Sequence, residues 1–352
     1  MIRDSGLLAL VVPSQHGGPG VRWPVVYRAI RRVAEADSAL AHLLAFHYLQ
    51  LAGVRLYGTP AQQAEHYGAT MSANLFWGNA LNPRDKRAVA VDVEGGFRID
   101  GPKSFSSGAI GSDRMVFSAW HEPSQSALIA IIDTDADGVS VESDWDAFGQ
   151  RQTDSGTVRF DRVFLPHRQV LQGPGVTPLP QATLRPQIAQ LIMANLYVGI
   201  GLGAFAEVRR YLKHEAAPWS ASGVARAVDD PFIQRRAADL WLQLKPATLM
   251  ADAAAELVQS AWEQGAALTA DQRGEVAVAV AEAKVLAHRA GLDTATEMFD
   301  MAGARATSAR YGYDRFWRNV RVHTLHDPVE YKLRDIGRHL LDDRWPEPTA
   351  YS

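Results

Sequence analysis

Residues 89–99 read VAVDVEGGFRI, and this stretch marks a change of periodicity in the chain. Apolar residues alternate with other residues on both sides of a turn at residues 94–96: Val89, Val91, Val93, Phe97 and Ile99. Alternation of period two around a Gly-containing turn is typical of a β-hairpin. The stretch therefore predicts an antiparallel pair of strands.

Further short apolar runs follow the hairpin, bounded by Gly, Asp and Pro, at residues 115–120, 127–132, 139–141 and 157–164. Short strands broken in this way favour a compact antiparallel barrel or sandwich. The stretch GPGVTPLP, residues 173–180, predicts a linker that ends this β region.

The chain on either side of the strands has helical periodicity. Apolar residues recur at helical spacing over residues 22–70, and Asp37 precedes a predicted helix at residues 39–56. Three long stretches with few helix breakers follow the linker, at residues 184–212, 230–263 and 271–301, and predict an antiparallel bundle. We expect an α+β fold with N-terminal helices (1–75), a central small β-barrel domain (76–172) and a C-terminal four-helix bundle (173–352).

Composition narrows the functional classes. The 352 residues are 47% hydrophobic and 21% charged, with net charge -3 and no basic block, so nucleic acid is not an expected partner. The apolar run at residues 7–12 is too short to span a membrane, and no cleavage site follows it, which favours a cytoplasmic enzyme. The absence of cysteine excludes disulfides and thiol catalysis.

Two stretches of the β region carry candidate site residues. The first, KSFSSGA at residues 103–109, places small hydroxyl residues beside glycine, which lets a flat ring approach; a simple turn is the alternative. The second contains Trp145, a large flat face, and Ser155 within RQTDSG at residues 151–156. A core tryptophan followed by a capped turn is the alternative there.

The histidines supply candidate proton-transfer groups. The stretch RNVRVHTLHDP, residues 318–328, contains His323, His326 and Asp327. Two histidines three residues apart could bind a metal, but no third ligand cluster is evident, so proton transfer or peroxide stabilisation is the favoured role. Surface histidines near a helix cap are the alternative. His47, in an apolar helix, is either a satisfied core residue or a pocket residue.

Together these stretches resemble the acyl-CoA dehydrogenase superfamily over nearly the whole chain. They are most similar to its flavin monooxygenase branch, which includes dibenzothiophene monooxygenase and the dimethylsulfone-utilisation flavoproteins. RNVRVHTLHDP is the most specific match. The spacing of Trp145 and Ser155, and the stretch KSFSSGAIGSD at residues 103–113, also match.

The resemblance implies a role for each candidate residue. Ser107, Trp145 and Ser155 would line the flavin ring, and Asn79 would contact flavin or substrate. His323 would help to bind the flavin, and Arg305 would reach the FMN of a neighbouring subunit. The implied catalytic residues are His326, His47 and Ser107, with the two histidines flanking the pocket where oxygen reacts.

Several departures from the dehydrogenases refine this expectation. Asp327 stands where the dehydrogenases carry a catalytic glutamate, and Phe299 stands where FAD-binding members carry a glutamine, which favours FMN over FAD. Ala216-Ala217 replace the arginine that often precedes Pro-Trp in the monooxygenases, leaving Lys213 or Arg305 for the FMN phosphate. The first helix of the family is expected to be missing before Met1.

The resulting functional hypothesis is a two-component FMNH2-dependent monooxygenase that oxygenates a small organosulfur or heteroaromatic substrate through a flavin C4a-peroxide. Because no Gly-rich nicotinamide fingerprint follows a strand, a separate flavin reductase is expected to supply FMNH2 by diffusion. A homotetramer without metal is also expected. The alternatives are an FAD-dependent acyl-CoA dehydrogenase, a flavin N-hydroxylase and a non-catalytic scaffold.

Overall fold

A computed structural model of the protein describes residues 2–352, and its N-terminal part is helical. The helices are α1 (Trp23–Ala34), α2 (Ser38–Tyr57) and α3 (Pro60–Ala73). The Asp37 side chain accepts hydrogen bonds from the backbone nitrogens of Ala39 and Leu40, and Thr59 forms a capping box with Gln62. These caps supply partners for the free N–H groups of the first turns, so the predicted helices begin close to their expected positions.

Eight strands follow in the described chain: β1 (Trp77–Ala80), β2 (Val89–Val93), β3 (Gly96–Lys103), β4 (Arg114–His121), β5 (Ser126–Asp133), β6 (Val139–Val141), β7 (Val158–Pro166) and β8 (Val170–Gln172). They form one sheet in the order β6-β7-β3-β2-β4-β5-β8, and β1 lies parallel to β4. The predicted hairpin is confirmed, because Val93 pairs with Gly96 across the turn.

The strands form the central β domain of the expected α+β fold, which is thereby confirmed. Their path of pairing runs from β6 to β8 within residues 2–352. The strands β1 and β8 were not predicted, because neither WGNA nor VLQ alternates apolar and polar residues.

Five helices complete the fold: α4 (Leu184–His214), α5 (Pro231–Gln264), α6 (Ala270–Ala302), α7 (Asp314–His323) and α8 (Val329–Asp342). The three long helices pack on one another, and α8 packs on α6. The predicted C-terminal bundle is confirmed. Only α4 in the described chain is long and apolar enough to cross a membrane, but 83% of its most apolar window is buried, as in a core helix.

Close packing of α4 against α1 depends on glycine. A Cβ atom at Gly199 would lie 2.5 Å from the carbonyl oxygen of Arg31, and one at Gly203 would lie 2.1 Å from that of Glu35. No side chain fits at such distances, so only glycine permits this close approach of the two helices.

One hydrophobic core joins the N-terminal helices to the bundle. Tyr27 and Tyr48 of the N-terminal part belong to the same buried cluster as Leu191 and Tyr197 of α4. A second cluster lies within the sheet, and a third connects α2 and α3 to the sheet. The helices and the sheet thus form a continuous packed unit, with a cavity where they meet.

Candidate active site

A cavity of about 640 Å³ lies between the sheet, the bundle and the C-terminal tail. Its lining comes from α2, α4, the end of α7, three loops of the β domain, the segment before α4 and residues 348–351. Apolar and aromatic walls include Phe46, Phe105, Trp145 and Met193. Cavities of this size with a few convergent polar groups hold small molecules or cofactors.

Backbone hydrogen bonds join the first two sequence motifs. The nitrogen of Ser106 donates to the carbonyl of Gly156, and that of Gly108 donates to the carbonyl of Thr153, each at 3.0 Å. The nitrogen of Asn79 donates to the carbonyl of Ser107, also at 3.0 Å. Three chain segments that are distant in sequence are thereby fixed along one wall of the cavity.

A row of hydroxyl groups runs along this wall. The Ser107 and Ser155 oxygens are 2.8 Å apart, and Ser155 lies 2.8 Å from the hydroxyl of Thr153, which donates to the carbonyl of Gln150. Because each hydroxyl has one proton, Thr153 accepts from Ser155, and Ser155 accepts from Ser107. Ser107 therefore presents acceptor lone pairs to the cavity.

The indole of Trp145 is also fixed by the carbonyl of Gln150. Its Nε1 donates to that oxygen at 3.0 Å, and Phe105 packs edge-on against the ring at 6.0 Å between centroids. Both rings line the cavity. The indole thus offers a held, flat apolar face beside the hydroxyl row.

The third motif, on α7, supports this loop from behind. The backbone nitrogen of Gln150 donates to Oδ1 of Asn319 at 2.8 Å, and Arg318 donates to the carbonyl of Phe148 at 3.1 Å. A Cβ atom at Gly149 would lie 2.0 Å from the Arg318 carbonyl oxygen, so only glycine permits this contact. The Trp145 loop and the RNVR sequence therefore form one structural unit.

His323 pairs with a histidine that sequence analysis missed. Its Nε2 lies 2.7 Å from Nδ1 of His42 on α2, and both rings line the cavity. Burial lowers the pKa of His42 to about 3 and holds the pKa of His323 well below its ordinary value. Both rings are neutral at pH 7. The sequence did contain a signal for His42: it lies four residues before Phe46, which places both on one face of the predicted helix.

The structure places His47 outside the cavity, and this corrects its predicted role. Its Nε2 lies 2.8 Å from the carbonyl oxygen of Leu8, and its Nδ1 accepts from the backbone nitrogen of Trp77 at 3.0 Å. Both ring nitrogens are occupied in a fully buried position. The core alternative for His47 therefore holds, because a spacing of five residues turns it about 140° around α2 from the face that carries His42.

His326 lines the cavity and is held by a buried ion pair behind it. Its Nδ1 lies 3.0 Å from Oδ1 of Asp327, which also forms a salt bridge with the buried Lys284. Burial alone would raise the pKa of Asp327, but His326 and Lys284 hold this pKa well below its usual range. The ionised carboxylate only accepts, so Nδ1 of His326 carries the proton and Nε2 remains available.

Lys284 was not anticipated from the sequence. It lies on α6, and its amine also contacts Oε1 of Gln190 on α4. Burial lowers the pKa of Lys284 to about 8, against the opposing effect of Asp327. No group of three potential His, Asp or Glu metal ligands occurs within residues 2–352.

The remaining predicted residues divide between two locations. Asn79 is buried at the cavity wall, where its Oδ1 accepts from Nε2 of Gln50 at 3.2 Å. Arg305 is exposed and does not line the cavity of its own chain. Its predicted contact with a neighbouring subunit's FMN stays a prediction.

Three buried atoms at the cavity have no hydrogen-bond partner within the described chain. They are Nε2 of His42, Oε1 of Gln150 and Nε of Arg185. Buried polar atoms without partners are uncommon in native proteins and point to a bound ligand or water. With the flat Trp145 face and the hydroxyl row, Nε2 of His42 and Oε1 of Gln150 suit the polar edges of the expected flavin ring.

Comparison with known proteins gives concordant matches. Residues 191–331 match the family described as acyl-CoA dehydrogenase, C-terminal domain. The chain is 44% identical to a probable FMNH2-dependent monooxygenase, SfnC, of Pseudomonas putida, over 100% of this chain and 89% of that protein.

Two solved structures are similar over the full chain. The methanesulfinate monooxygenase MsuC of Pseudomonas fluorescens has a TM-score of 0.97 and 43% identity, covering 100% of this chain and 91% of that one. TdsC of Paenibacillus, a dibenzothiophene monooxygenase, was solved with FMN and indole. That complex has a TM-score of 0.94 and 37% identity, covering 100% and 91% of the two chains.

Proposed function

The chain belongs to the FMNH2-dependent monooxygenases of the acyl-CoA dehydrogenase superfamily, and from this premise we propose that it is the oxygenase component of a two-component system. It is a flavin-dependent oxidoreductase whose cofactor is FMN. The proposed substrate is a small organosulfur or heteroaromatic compound, because the similar enzymes MsuC and TdsC are monooxygenases of methanesulfinate and dibenzothiophene.

The location of Asp327 is the observation that carries this proposal over a dehydrogenase function. A dehydrogenase of this fold needs a free carboxylate facing the substrate. Asp327 instead is buried in an ion pair with Lys284 and does not line the cavity. His326 lines the cavity wall in place of a carboxylate. A histidine there suits transfer of a proton at neutral pH, whereas a dehydrogenase needs a carboxylate base that removes a substrate proton.

Reduced FMN would supply two electrons to oxygen. Each group of cavity residues has its own proposed role around this cofactor. Trp145 would pack on the ring, and Ser107 would accept a hydrogen bond from a ring N–H, because its own proton is used by Ser155. The neutral His42–His323 pair would provide one polar wall. Nε2 of His326 would take or give the proton, while the apolar side chains exclude water.

The reduced flavin is proposed to come from a separate reductase. The Gly-rich sequence GIGLG, residues 199–203, lies inside α4 and not at a strand-to-helix turn. This stretch therefore does not have the strand-turn-helix context of a nicotinamide-binding fingerprint. The enzyme is proposed to act in the cytoplasm, where FMN and reductases are available.

The function can be tested with purified protein, FMN, NADH and a generic flavin reductase. We expect substrate-dependent oxygen uptake with one atom of ¹⁸O₂ in the product for members of a panel of sulfides, sulfinates and heteroaromatic compounds. FMN should support more turnover than FAD, and an anaerobic titration should show tighter binding of reduced FMN. Oxidation of acyl-CoA thioesters with an artificial electron acceptor, without ¹⁸O incorporation, would contradict the proposal.

We further propose a homotetramer. Arg305 is exposed and lies outside its own cavity, and Phe232 and Leu242 on α5 are exposed by 80% and 68%, which is unusual for large apolar side chains. Burial of such a face in a closed assembly would remove this apolar area from water. Light scattering should give four times the chain mass at micromolar concentration, and a stable monomer would count against the assembly.

A further inference from the structure

Gln150 is a buried residue in a strained conformation at the cavity wall. Only 2% of its surface is exposed, and its backbone has φ 51° and ψ 36°, in the left-handed region that non-glycine residues seldom adopt. Phe105 and Asp154, in the two motifs that form this wall, also have positive φ. Strained backbone of this kind persists only where the surrounding structure enforces it, and it is concentrated at functional sites. The strain therefore points to a function for Gln150.

Hydrogen bonds fix both the backbone and the side chain of Gln150. Its backbone nitrogen donates to Asn319, and its carbonyl accepts from Trp145 and Thr153. Its side-chain Nε2 donates to the hydroxyl of Ser38 on α2 at 3.2 Å, and Nδ2 of Asn319 donates to the same hydroxyl at 3.0 Å. The Gln150 amide is thereby held between α2 and α7, and its Oε1 keeps one orientation.

Oε1 of Gln150 is an acceptor without a donor. This atom is buried and has no hydrogen-bond partner within residues 2–352. Because Nε2 donates to Ser38, the remaining polar atom of the side chain is a carbonyl oxygen, which can only accept. Gln150 and Ser107 both line the cavity, so the wall presents two acceptors to a bound ring. A buried acceptor without a donor costs about 1–3 kcal/mol, and a ring N–H would remove this cost.

The two oxidation states of a flavin ring differ in the donors that they offer. The oxidised ring has a single N–H, at N3, while its N5 carries a lone pair. Reduction adds a proton to N5 and converts this atom from an acceptor into a donor. The N–H at N3 is common to both states and needs one acceptor, for which Ser107 suffices. A second, fixed acceptor therefore suits N5 of the reduced ring and repels N5 of the oxidised ring.

We propose that Gln150 is a flavin-binding residue whose Oε1 accepts a hydrogen bond from the N5–H of reduced FMN, and that it makes the site selective for the reduced cofactor. The inference rests on the proposed function, which assigns FMN to this cavity. The Gln150 carbonyl holds the indole of Trp145 that packs on the ring, while the Gln150 side chain distinguishes the oxidation states. Such selectivity suits an enzyme that receives FMNH2 from a separate reductase and releases FMN after turnover.

Anaerobic titration of the wild type, Gln150→Leu and Gln125→Leu with oxidised and reduced FMN tests the proposal. We expect Gln150→Leu to weaken the binding of reduced FMN by about 2- to 12-fold, the usual contribution of one neutral hydrogen bond. The Kd for oxidised FMN should stay unchanged or fall slightly, because the repulsion at N5 is also removed. A tenfold selective loss would lower the two-electron midpoint potential of the bound flavin by about 30 mV. Gln125→Leu is the matched control and should bind both forms as the wild type does, because Gln125 also has φ 51° but lies outside the cavity.

A flavin analogue provides a second test that begins with the wild-type protein alone. In 5-deaza-FMN a carbon atom replaces N5, so the reduced analogue has no N–H at this position. The preference of the wild type for the reduced form should be smaller with 5-deaza-FMN than with FMN. Gln150→Leu should bind reduced 5-deaza-FMN as tightly as the wild type does. The first of these comparisons uses unaltered protein, so it applies even if Gln150→Leu does not fold.

Three outcomes would overturn the inference. Equal losses for oxidised and reduced FMN in Gln150→Leu would show that Gln150 only supports the Trp145 wall. Unchanged binding of reduced FMN by this variant would show that Gln150 makes no hydrogen bond to the ring. An undiminished preference of the wild type for reduced 5-deaza-FMN would exclude a bond to N5–H. The titrations use neither substrate nor oxygen, so they judge Gln150 even if the wild type oxygenates no compound, a result that would reject the proposed function instead.

Discussion

His326→Ala is expected to lower product formation by roughly 10²–10⁴-fold, the usual contribution of a positioned acid or base. The fold and the affinity for FMN should remain nearly intact, because the His326 side chain is partly exposed and its main contact is with Asp327. Oxygen uptake should continue and should end in hydrogen peroxide in place of product, since oxygen is then reduced without transfer to the substrate.

The ratio of product to hydrogen peroxide during NADH-driven turnover measures this effect. Ser107→Ala is the companion variant: it removes one neutral hydrogen bond, worth about 0.5–1.5 kcal/mol, and should show weaker uncoupling. His47→Gln is a useful contrast, because His47 lies outside the cavity and should alter stability more than coupling. A His326→Ala enzyme with wild-type coupling would remove this histidine from the proposed mechanism.

The helices and the hairpin could be predicted because their signals are local. Apolar periodicity and the Asp37 cap fall within a few residues of the structure they determine. The four-residue β1 and the three-residue β8 could not be predicted, since neither stretch alternates apolar and polar residues. Pairing of such short strands is decided by the whole domain and not by their own sequence.

The site followed the same rule. Ser107, Trp145, Ser155, Asn79, His323 and His326 belong to recognisable motifs, and the structure brings all six to one cavity. Three site residues belong to no recognisable motif, because their surroundings are formed by residues far away in sequence. His42 contacts His323, Lys284 pairs with Asp327, and Arg185 lines the cavity. His47 was named from the sequence and His42 was not, although both lie on the same apolar helix, because only the packing of α2 shows which of them faces the cavity.

Lys284→Met is expected to destabilise the protein by about 3–5 kcal/mol, because it leaves the Asp327 carboxylate buried without its cation. Both partners are shielded from solvent, with side-chain exposures of 1% for Lys284 and 7% for Asp327. Urea unfolding measures the loss. Arg236→Met, which breaks an exposed pair with Glu297, is the matched control and should cost at most about 1 kcal/mol.

The double variant Lys284→Met/Asp327→Leu separates stability from positioning. Replacing a buried ion pair by apolar side chains of similar volume is often neutral, so most of the lost stability should return. The ratio of product to hydrogen peroxide should stay low, because His326 has lost the carboxylate that accepts its Nδ1 proton. Without that hydrogen bond, Nε2 is no longer held as the free nitrogen at the cavity. If the double variant regains both stability and the wild-type ratio of product to hydrogen peroxide, Asp327 serves the fold alone, and the orientation of His326 must come from the Tyr351 ring that packs edge-on against it.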